Sequence, residues 1–345
     1  MDLKTEINIG DKRIGPGHRP YIIAEMACAH DGEFEKAKRL IDSAVNAKAD
    51  AVQLQFFVSD ETVTPHHEAY DILKRIEFSN EQWGELFQYG SDQGIDVFVC
   101  TYDVPSVKLA GKLGAKGIKL NSADLANPEV IIAVAELGIP FTLGTGSSTF
   151  EEITKGLELA AKHGAKDVVL MQGVQNFPTQ PKDLNIAKID LLRSEFGIPV
   201  GYADHIAGDD PFGKMVDLLA IGLGANVLEK HITIDRSEKG IDYQAALEPE
   251  EFKTYVSNMH TAFTALGSRE ILPFTESDLK YRKFQKKSIV AAVDIEEGET
   301  LSRDKVAFIR NVEPGVAPIN FPEMSGKKVI RSIQKHQNIL PEDLQ

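Results

Sequence analysis

Residues 226–235, NVLEKHITID, decide how the rest of this chain is interpreted. They predict a short buried strand, residues 226–228, that runs directly into Glu229, Lys230 and His231. Strands of parallel sheets are buried on both faces, and parallel α/β barrels carry their chemistry at the carboxyl ends of the strands. A strand that leads into a carboxylate and an imidazole therefore predicts a site at that end.

A second stretch, PVGYADH at residues 199–205, ends in the same way with His205. Two successive strands would then each deliver one histidine to the same rim. Two imidazoles with open positions beside them suit a catalytic divalent metal ion. Either histidine alone is as compatible with a hydrogen-bonded strand-end residue as with a metal ligand. The pair at matching ends favours a metal site formed by His205 and His231.

Strand-like and helix-like segments alternate eight times from residue 20 onward. The predicted strands cover residues 21–24, 51–57, 96–100, 117–120, 140–143, 167–171, 199–202 and 226–228. The predicted helices cover residues 33–48, 80–93, 104–113, 127–137, 149–163, 184–195, 211–223 and 248–266. Eight such units predict an α/β fold, the (β/α)8 TIM barrel. A doubly wound open sheet is the alternative, but the GxGxxG turn that it often carries does not follow the first strand.

Composition argues against several classes of protein. The 345 residues carry a formal net charge of −14, which argues against nucleic acid or an anionic membrane as the main partner. No apolar run approaches the roughly 20 residues that cross a bilayer, and the first residues lack the apolar core of a signal peptide. The two cysteines have no disulfide or metal-site spacing, so we expect a cytoplasmic protein.

The alternation of strand-like and helix-like segments stops after the eighth unit. We predict a barrel domain at residues 1–279 and a basic linker at 280–287, KYRKFQKK. Residues 288–345 read as short strands and turns that form a small module of α+β or mostly β type. A module of this size is near the lower limit for a self-sufficient core, so we expect it to dock on another surface.

The predicted strand ends place further polar groups at the barrel rim. Lys119 supplies a cation, and Thr101, Ser122 and Gln175 supply hydroxyl or amide donors that suit a phosphate or a carboxylate. Each of these residues alone is equally compatible with a structural hydrogen bond. The rim carboxylates, which suit acid–base work or sugar hydroxyls, are Glu25, Asp204 and Asp242.

Taken together, these motifs resemble the sialic acid synthase family, the NeuB-type enzymes that condense phosphoenolpyruvate with a sugar. The matching pieces are IIAE at 22–25, AHDG at 29–32, ADAVQLQ at 49–55, KLNSAD at 119–124, GYADH at 201–205, EKHITID at 229–235, Asp242 and LEPEEF at 247–252. The tail SIVAAVDIEEGETLS resembles the antifreeze-like (SAF) domain of that family. The two histidine motifs in this order, followed by that tail, are the specific part of the resemblance.

The resemblance implies a (β/α)8 barrel joined to an SAF domain in a domain-swapped homodimer, where the tail of one chain covers the barrel mouth of the other. It implies a transferase that joins phosphoenolpyruvate to an N-acetylated hexosamine, such as N-acetylmannosamine, and releases phosphate and a nine-carbon 2-keto sugar acid. The implied cofactor is Mn²⁺ or Mg²⁺, held by His205 and His231, which polarises the open-chain sugar aldehyde.

The resemblance also assigns roles to residues. Lys119, Ser122 and Thr101 would hold phosphoenolpyruvate, and Arg310 would reach the sugar from the partner's tail. The implied catalytic residues are Glu25, Asp242, His205 and His231, of which the two carboxylates bind the sugar and assist proton transfer. The implied substrate-binding residues are Gln53, Gln55, Thr101, Lys119, Ser122, Asp124, Gln175, Phe177 and Arg310.

This sequence departs from the family pattern at several of those positions. The family has lysine where Gln53 stands, and serines where Gly144 and Ala203 stand. The segment with Gln175 and Phe177, QGVQNFP, and the motif AHDG also differ from the family's usual residues. Loss of one charge-assisted hydrogen bond weakens binding by about 1.5–3 kcal/mol, or roughly tenfold to a hundredfold. The fold and the metal site are therefore expected to persist, while both substrates stay open.

Two other functions compete with the synthase. A metal-dependent aldolase or lyase that uses pyruvate is favoured by the weakened phosphate contacts. A non-catalytic sugar-binding paralogue would bind a sugar without turnover. The sugar itself is also open among N-acetylmannosamine, its 6-phosphate and a dideoxy-diamino hexose.

Overall fold

The computed structural model describes residues 1–268, 270–271 and 273–345, which form two compact units, Met1–Gly267 and Ser268–Gln345. The predicted domain boundaries at 279/280 and 287/288 stay predictions beside this division. The first unit begins with two short strands, β1 (Ile7–Ile9) and β2 (Lys12–Ile14). The eight longer strands that follow are β3 (Tyr21–Glu25), β4 (Ala51–Phe56), β5 (Asp96–Thr101), β6 (Gly117–Leu120), β7 (Phe141–Gly144), β8 (Val168–Gly173), β9 (Val200–Asp204) and β10 (Val227–His231).

The strands β3 to β10 pair in parallel in chain order, and β10 pairs with β3 to close the barrel. The predicted fold class is thereby confirmed. The helices of this unit are α1 (Phe34–Ala47), α2 (Ser59–Thr62), α3 (Tyr70–Ile76), α4 (Asn80–Asp92), α5 (Val104–Leu113), α6 (Pro128–Leu137), α7 (Phe150–Lys162), α8 (Lys188–Phe196), α9 (Asp217–Gly222) and α10 (Pro249–Leu266). The start of α7 is fixed by a capping box in which Thr149 and Glu152 satisfy each other's backbone amides.

The strand β10 is longer than predicted, because it runs to His231 and does not end at Leu228. Side chains alternate between the two faces of a strand. Val227 belongs to the cluster inside the barrel, whereas Leu228 belongs to the cluster between the sheet and the helices. Glu229 and His231 therefore point into the barrel, and Lys230 points toward the helices. This single alternation separates two sets of charged residues that lie next to each other in the sequence.

The amino-terminal end of the barrel is closed by the hairpin of β1 and β2, which the sequence did not predict. Ile7, Ile9 and Ile14 pack against barrel residues such as Tyr21 and Phe98 in one buried cluster. Strands of three residues are too short to show a hydrophobic pattern, so the sequence does not indicate them. With this end sealed by apolar side chains, a ligand can enter the barrel interior only from the carboxyl ends of the strands.

The second unit contains α11 (Glu276–Gln285), β11 (Ser288–Ala291), β12 (Val306–Ile309) and α12 (Phe321–Met324). Most of the predicted basic linker, residues 280–285, therefore lies in a helix. The antiparallel pair β11–β12 contributes to the unit's own apolar core. The buried residues of that core are Ile289, Ala291, Ile295, Leu301, Val306, Phe321, Met324, Val329, Ile333 and Ile339.

Helices in the described part of the chain are all too short or too polar to cross a membrane. Both cysteines are buried free thiols.

Candidate active site

Three residues with metal-binding side chains meet inside the barrel near the carboxyl ends of β9 and β10. They are His205, Glu229 and His231, and one ligand atom from each lies within 4.8 Å of the others. The two imidazole rings lie 5.1 Å apart between centroids, and all three residues are buried. The structure thus brings the predicted pair of histidines together and adds Glu229. The signal for Glu229 was its position two residues before His231, on the same face of one strand.

The state of the imidazoles fits a metal ion. Burial lowers the pKa of His205 to about 4 and lowers that of His231 well below its usual value, so both rings are neutral at pH 7. The buried Nδ1 of His205 has no hydrogen-bond partner. Neutral imidazoles and a carboxylate form a donor set that suits a divalent first-row ion. These three residues would hold it.

Phe177 forms an apolar wall beside the two histidines. Its ring packs edge-on at 4.6 Å from the His205 ring and 5.5 Å from the His231 ring, measured between centroids. Phe177 has no polar atom on its side chain, so at this predicted binding position it offers shape and not a hydrogen bond. It also restricts the rotamers of both rings, which helps to fix the direction of their nitrogen atoms.

Lys119 lies beside the metal-binding group and is shared by two carboxylates. Its Nζ is 3.3 Å from Glu25 Oε2 and also donates to Glu229 Oε1, and the residue is only 5% exposed. Burial alone would lower the pKa of Lys119, but the two carboxylates outweigh burial and raise it. Glu25 Oε1 also accepts from the amide of Ala27 at 2.7 Å. Burial raises the pKa of Glu25 to about 7, and Glu229 adds to the shift while Lys119 opposes it.

The two glutamines of β4 also point into the barrel. Gln53 Nε2 lies 3.4 Å from Glu229 Oε2, while Gln53 Oε1 is buried without a partner. Gln55 Nε2 donates to the sulfur of Cys28 at 3.2 Å. Gln53 therefore borders the group that contains Glu229 and Lys119, whereas Gln55 contacts Cys28.

A cavity of about 470 Å³ lies at the ends of β6, β7 and β8. Ser122 and Gln175, two predicted binding residues, line it together with Asn121, Ser147 and Ser148. The polar groups of this lining are hydroxyls, amides and the carboxylate of Glu152, which suit hydrogen bonding to a polar ligand.

Asp124 and Thr101 lie apart from the centre of the site. Asp124 is buried beside the start of α6 and accepts from Asn127 Nδ2 at 3.0 Å, a contact that orders the turn. Burial raises the pKa of Asp124. Thr101 shares the helix side of β5 with Val97 and Val99, and its buried hydroxyl has no partner. Their predicted substrate contacts stay predictions.

Asp204 does not face the barrel mouth, contrary to the prediction. It precedes His205 on β9 and receives hydrogen bonds from Lys230 Nζ and from Tyr202 Oη, the latter at 2.9 Å. It is fully buried between the sheet and the helices. Alternation along the strand sends consecutive residues to opposite faces, so a histidine at the mouth places the preceding aspartate behind it.

Asp242 lies on the loop that follows β10, with a left-handed backbone at φ 61°. Burial raises the pKa of its carboxyl group. The loop is tied to the end of β3, because Asp31 Oδ1 accepts from the Ile241 amide at 2.9 Å. Lys36 Nζ then bridges Asp31 and Glu238 at 2.7 and 2.8 Å. These contacts fix the segment that presents Asp242.

Arg310 belongs to the second unit, where it directly follows β12 and is exposed. Its predicted contact with a sugar stays a prediction.

Comparison with known proteins identifies both parts of the chain. The model of the NeuB family matches residues 40–271, and the model of the SAF domain matches residues 286–345. These matches confirm the family resemblance and the nature of the tail.

Relatives of known sequence span nearly the whole chain. An uncharacterized protein of Methanocaldococcus jannaschii is 34% identical over 306 residues, which cover 88% of this chain and 89% of that protein. The N,N'-diacetyllegionaminic acid synthase of Legionella pneumophila is 29% identical over 363 residues, which cover both chains fully at 100%. The mouse N-acetylneuraminate-9-phosphate synthase is also 29% identical and covers 100% of this chain and 98% of its own.

A solved structure shows the same architecture. The N-acetylneuraminic acid synthetase of Leptospira borgpetersenii, crystallised with citrate, superposes with a TM-score of 0.74 at 30% identity. The superposition covers 81% of this chain and 97% of that one.

Proposed function

This chain belongs to the NeuB family, and we propose from that premise that it is a nonulosonic acid synthase. In this proposal it joins phosphoenolpyruvate to an N-acetylated hexosamine and releases phosphate and a nine-carbon 2-keto sugar acid. The relatives named as synthases of N,N'-diacetyllegionaminic acid and of N-acetylneuraminate 9-phosphate support a sugar-acid-forming enzyme. The sugar, the transferase class and a cytoplasmic homodimer are parts of the proposal.

The observation that carries the proposal is the meeting of His205, Glu229 and His231 beside Lys119 inside the barrel. A divalent ion, Mn²⁺ or Mg²⁺, held by these residues would polarise the aldehyde of the open-chain sugar. The sealed amino-terminal end and the polar rim leave the carboxyl end of the barrel as the way in for both substrates.

The residues of the chain then act on the two substrates directly. Carbon 3 of phosphoenolpyruvate forms the new bond to the aldehyde carbon, and water adds at carbon 2 before the phosphate leaves. Lys119 is the cation near the donor carboxylate. Glu25, whose pKa of about 7 lets it exchange a proton near neutral pH, passes a proton to the forming hydroxyl. Asp242 binds sugar hydroxyls, and Ser122 and Gln175 donate to polar groups at the rim.

The test is a panel of sugars incubated with the purified protein, Mn²⁺ and phosphoenolpyruvate, read by phosphate release. The panel holds N-acetylmannosamine, its 6-phosphate and a dideoxy-diamino hexose. At least one sugar should give sugar-dependent phosphate release. The substitution His231→Ala should lower the rate on the order of a hundredfold or more, because the ion supplies several kcal/mol of transition-state stabilisation.

His163→Ala is the matched control, since His163 lies at the end of α7 with Glu136 and away from the barrel interior. It should leave the rate unchanged. Absence of phosphate release with every sugar, or full activity in the His231→Ala variant, would contradict the proposal.

A further inference from the structure

The segment that carries Asp242 leaves the barrel and returns to it at one point. The amide of Thr233 donates to the carbonyl of Leu247 at 3.0 Å, and the amide of Leu247 donates to the carbonyl of His231 at 2.9 Å. These bonds close the base of residues 234–246, which we call the β10 loop. Because the base is closed, the position of the tip of the loop depends on contacts with other parts of the fold.

The tip of the β10 loop contacts the loop that follows β3. Asp31 Oδ1 accepts a hydrogen bond from the Ile241 amide at 2.9 Å. The side chain of Ile241 packs against a small apolar cluster that includes Cys28 and Phe57, residues that follow β3 and β4. Ile241 directly precedes Asp242 in the chain, so both contacts act directly beside Asp242.

A buried ammonium group holds Asp31 in place. Lys36 Nζ lies 2.7 Å from Asp31 Oδ2 and 2.8 Å from Glu238 Oε2, and the Lys36 side chain is 5% exposed. Both oxygens of Asp31 are therefore engaged, one by the β10 loop and the other by α1. Hydrogen bonds between charged groups are stronger than neutral ones. Since Lys36 also reaches Glu238, a single lysine ties the first turn of α1 to both loops.

The backbone is shaped to bring these groups together. Asp31 has a left-handed φ of 52°, a region that aspartate and asparagine enter more readily than other residues with a side chain. Gly240 lies directly against the Asp31 carboxylate, because a Cβ atom placed on Gly240 would overlap Asp31 Oδ2. A side chain at position 240 would therefore displace that carboxylate from the Ile241 amide.

We propose that Asp31 is a positioning residue that sets the affinity of the site for the sugar. The inference rests on the proposed function, in which Asp242 binds sugar hydroxyls. Asp31 acts through the Ile241 amide, one residue before Asp242. His231, by contrast, lies before the closed base of the β10 loop, so movement of the tip leaves the metal-binding residues in place. Loss of the Asp31 contact should thus weaken binding of the sugar and leave binding of the metal ion and of phosphoenolpyruvate as before.

Steady-state phosphate release by the full-length protein tests this inference. N-acetylmannosamine, its 6-phosphate and a dideoxy-diamino hexose are varied in turn, with Mn²⁺ and phosphoenolpyruvate saturating. Asp31→Gly removes the carboxylate and tolerates the left-handed φ. For each sugar that the wild type uses, this variant should raise KM on the order of tenfold, the effect of one hydrogen bond to a charged group. The kcat, the KM for phosphoenolpyruvate and the calorimetric affinity for Mn²⁺ should stay unchanged.

Two further variants act on the same contact by different means. Gly240→Ala changes no charge and no hydrogen-bonding group, but its methyl group displaces the Asp31 carboxylate. The same selective rise in KM for the sugar should follow. Asp31→Asn keeps one side-chain oxygen, which can accept from the Ile241 amide or from Lys36 but not from both. Its KM for the sugar should therefore lie between those of the wild type and Asp31→Gly.

Two lysines of α1 provide a matched pair. Lys36→Met releases Asp31 from α1 and should raise KM for the sugar by a smaller factor than Asp31→Gly, because Asp31 still accepts from the Ile241 amide. Lys38→Met is the control, since Lys38 pairs with Glu35 within the same helix. This variant should leave KM for both substrates unchanged.

The outcomes separate this inference from the proposed function. A selective rise in the sugar KM of both Asp31→Gly and Gly240→Ala supports the inference. A wild-type sugar KM in these two variants overturns the inference and leaves the proposed function intact, and so does an equal change in the KM of both substrates and in Mn²⁺ affinity. Absence of turnover with every sugar in the wild type overturns both. If Asp31→Gly does not fold, Gly240→Ala and Lys36→Met decide between these results.

Discussion

Two buried charge clusters lie on opposite faces of the same strand, β10, and each contains one lysine and two carboxylates. The inner cluster, inside the barrel, consists of Lys119, Glu25 and Glu229. The outer cluster, between the sheet and the helices, consists of Lys230, Asp204 and Asp217. The numbers of ammonium and carboxylate groups are the same in the two clusters, so we look for the difference in role in their surroundings.

The outer cluster is fully paired. Lys230 Nζ donates to both of its carboxylates and to the carbonyl of Gly213, at 2.6 Å from the latter. The hydroxyl groups of Tyr202 and Tyr255 each donate to one of the carboxylates at 2.9 Å. Every ammonium hydrogen thus has an acceptor. The cluster links β9, β10, α9 and α10, and its role is to hold the two strands that carry the histidines.

The inner cluster has polar atoms left over. Gln53 Oε1, Thr142 Oγ1 and His205 Nδ1 are buried without partners in or beside it. Unpaired buried groups are rare in a purely structural network because each of them costs free energy. Both clusters contain buried charge, so buried charge does not distinguish the binding site from the structural ion cluster. The number of buried polar atoms without a hydrogen-bond partner does.

Replacing each lysine in turn should give the largest difference between the clusters, measured as loss of unfolding free energy. Lys230→Met leaves two buried carboxylates without a cation, and removal of one partner from a buried ion pair costs about 3–5 kcal/mol of unfolding free energy. Lys119→Met should cost less, because Glu25 has a pKa of about 7 and readily takes a proton when the ammonium group is gone. Urea denaturation at pH 7 measures both variants.

Activity should show the reverse order for these two variants. At temperatures where both are folded, Lys119→Met should lose donor binding, whereas Lys230→Met should retain it. Equal losses of stability in the two variants would mean that the clusters do not differ in the way that their hydrogen bonds indicate.

The pH dependence of stability tests the inner cluster alone. Burial raises the pKa of Glu25 from 4.5 to about 7, so the folded protein binds more protons than the unfolded chain between those values. The contribution of Glu25 to stability is therefore fully present below pH 4.5 and is lost as the pH rises to 7. The variant Glu25→Gln lacks this loss, so its stability relative to the wild type should increase from pH 4.5 to 7.

Urea midpoints of the metal-free proteins, measured in EDTA at several pH values, give this difference. Comparison with the variant cancels the opposing titration of His205, whose folded pKa is about 4. A difference that is constant with pH would show that Glu25 titrates normally and is not held in the buried inner cluster.

The sequence was sufficient for the barrel and for the pair of histidines. Eight alternating segments defined the fold, and the two motifs GYADH and EKH placed His205 and His231 at neighbouring strand ends. These predictions depend on periodicity and on strand order, and both can be obtained directly from the linear sequence.

The ion-pair partners of the charged residues could not be predicted from periodicity or strand order. The sequence predicts a strand that ends at Leu228, which makes Glu229, Lys230 and His231 one polar end, whereas they are alternating residues of β10. The same omission placed Asp204 at the barrel mouth. Residues of the longer strand alternate between its two faces, and local sequence does not fix where a strand ends when its last residues are charged. The pairing of Lys119 with Glu25 and Glu229 needs three strands in register and had no local signal.

The smallest expected effect concerns a hydrogen bond at the edge of the outer cluster. Tyr255→Phe removes the donor to Asp217 Oδ1 and keeps the ring and its packing, so we expect a loss of about 0.5–1.5 kcal/mol in unfolding free energy. Calorimetric titration with Mn²⁺ should show unchanged metal affinity, because Lys230 still holds both carboxylates. Tyr202→Phe, which removes the donor to Asp204, is the matched variant beside His205. A fall in metal affinity in both variants, with little change in stability, would mean that the outer cluster tunes the histidines and does more than hold the strands together.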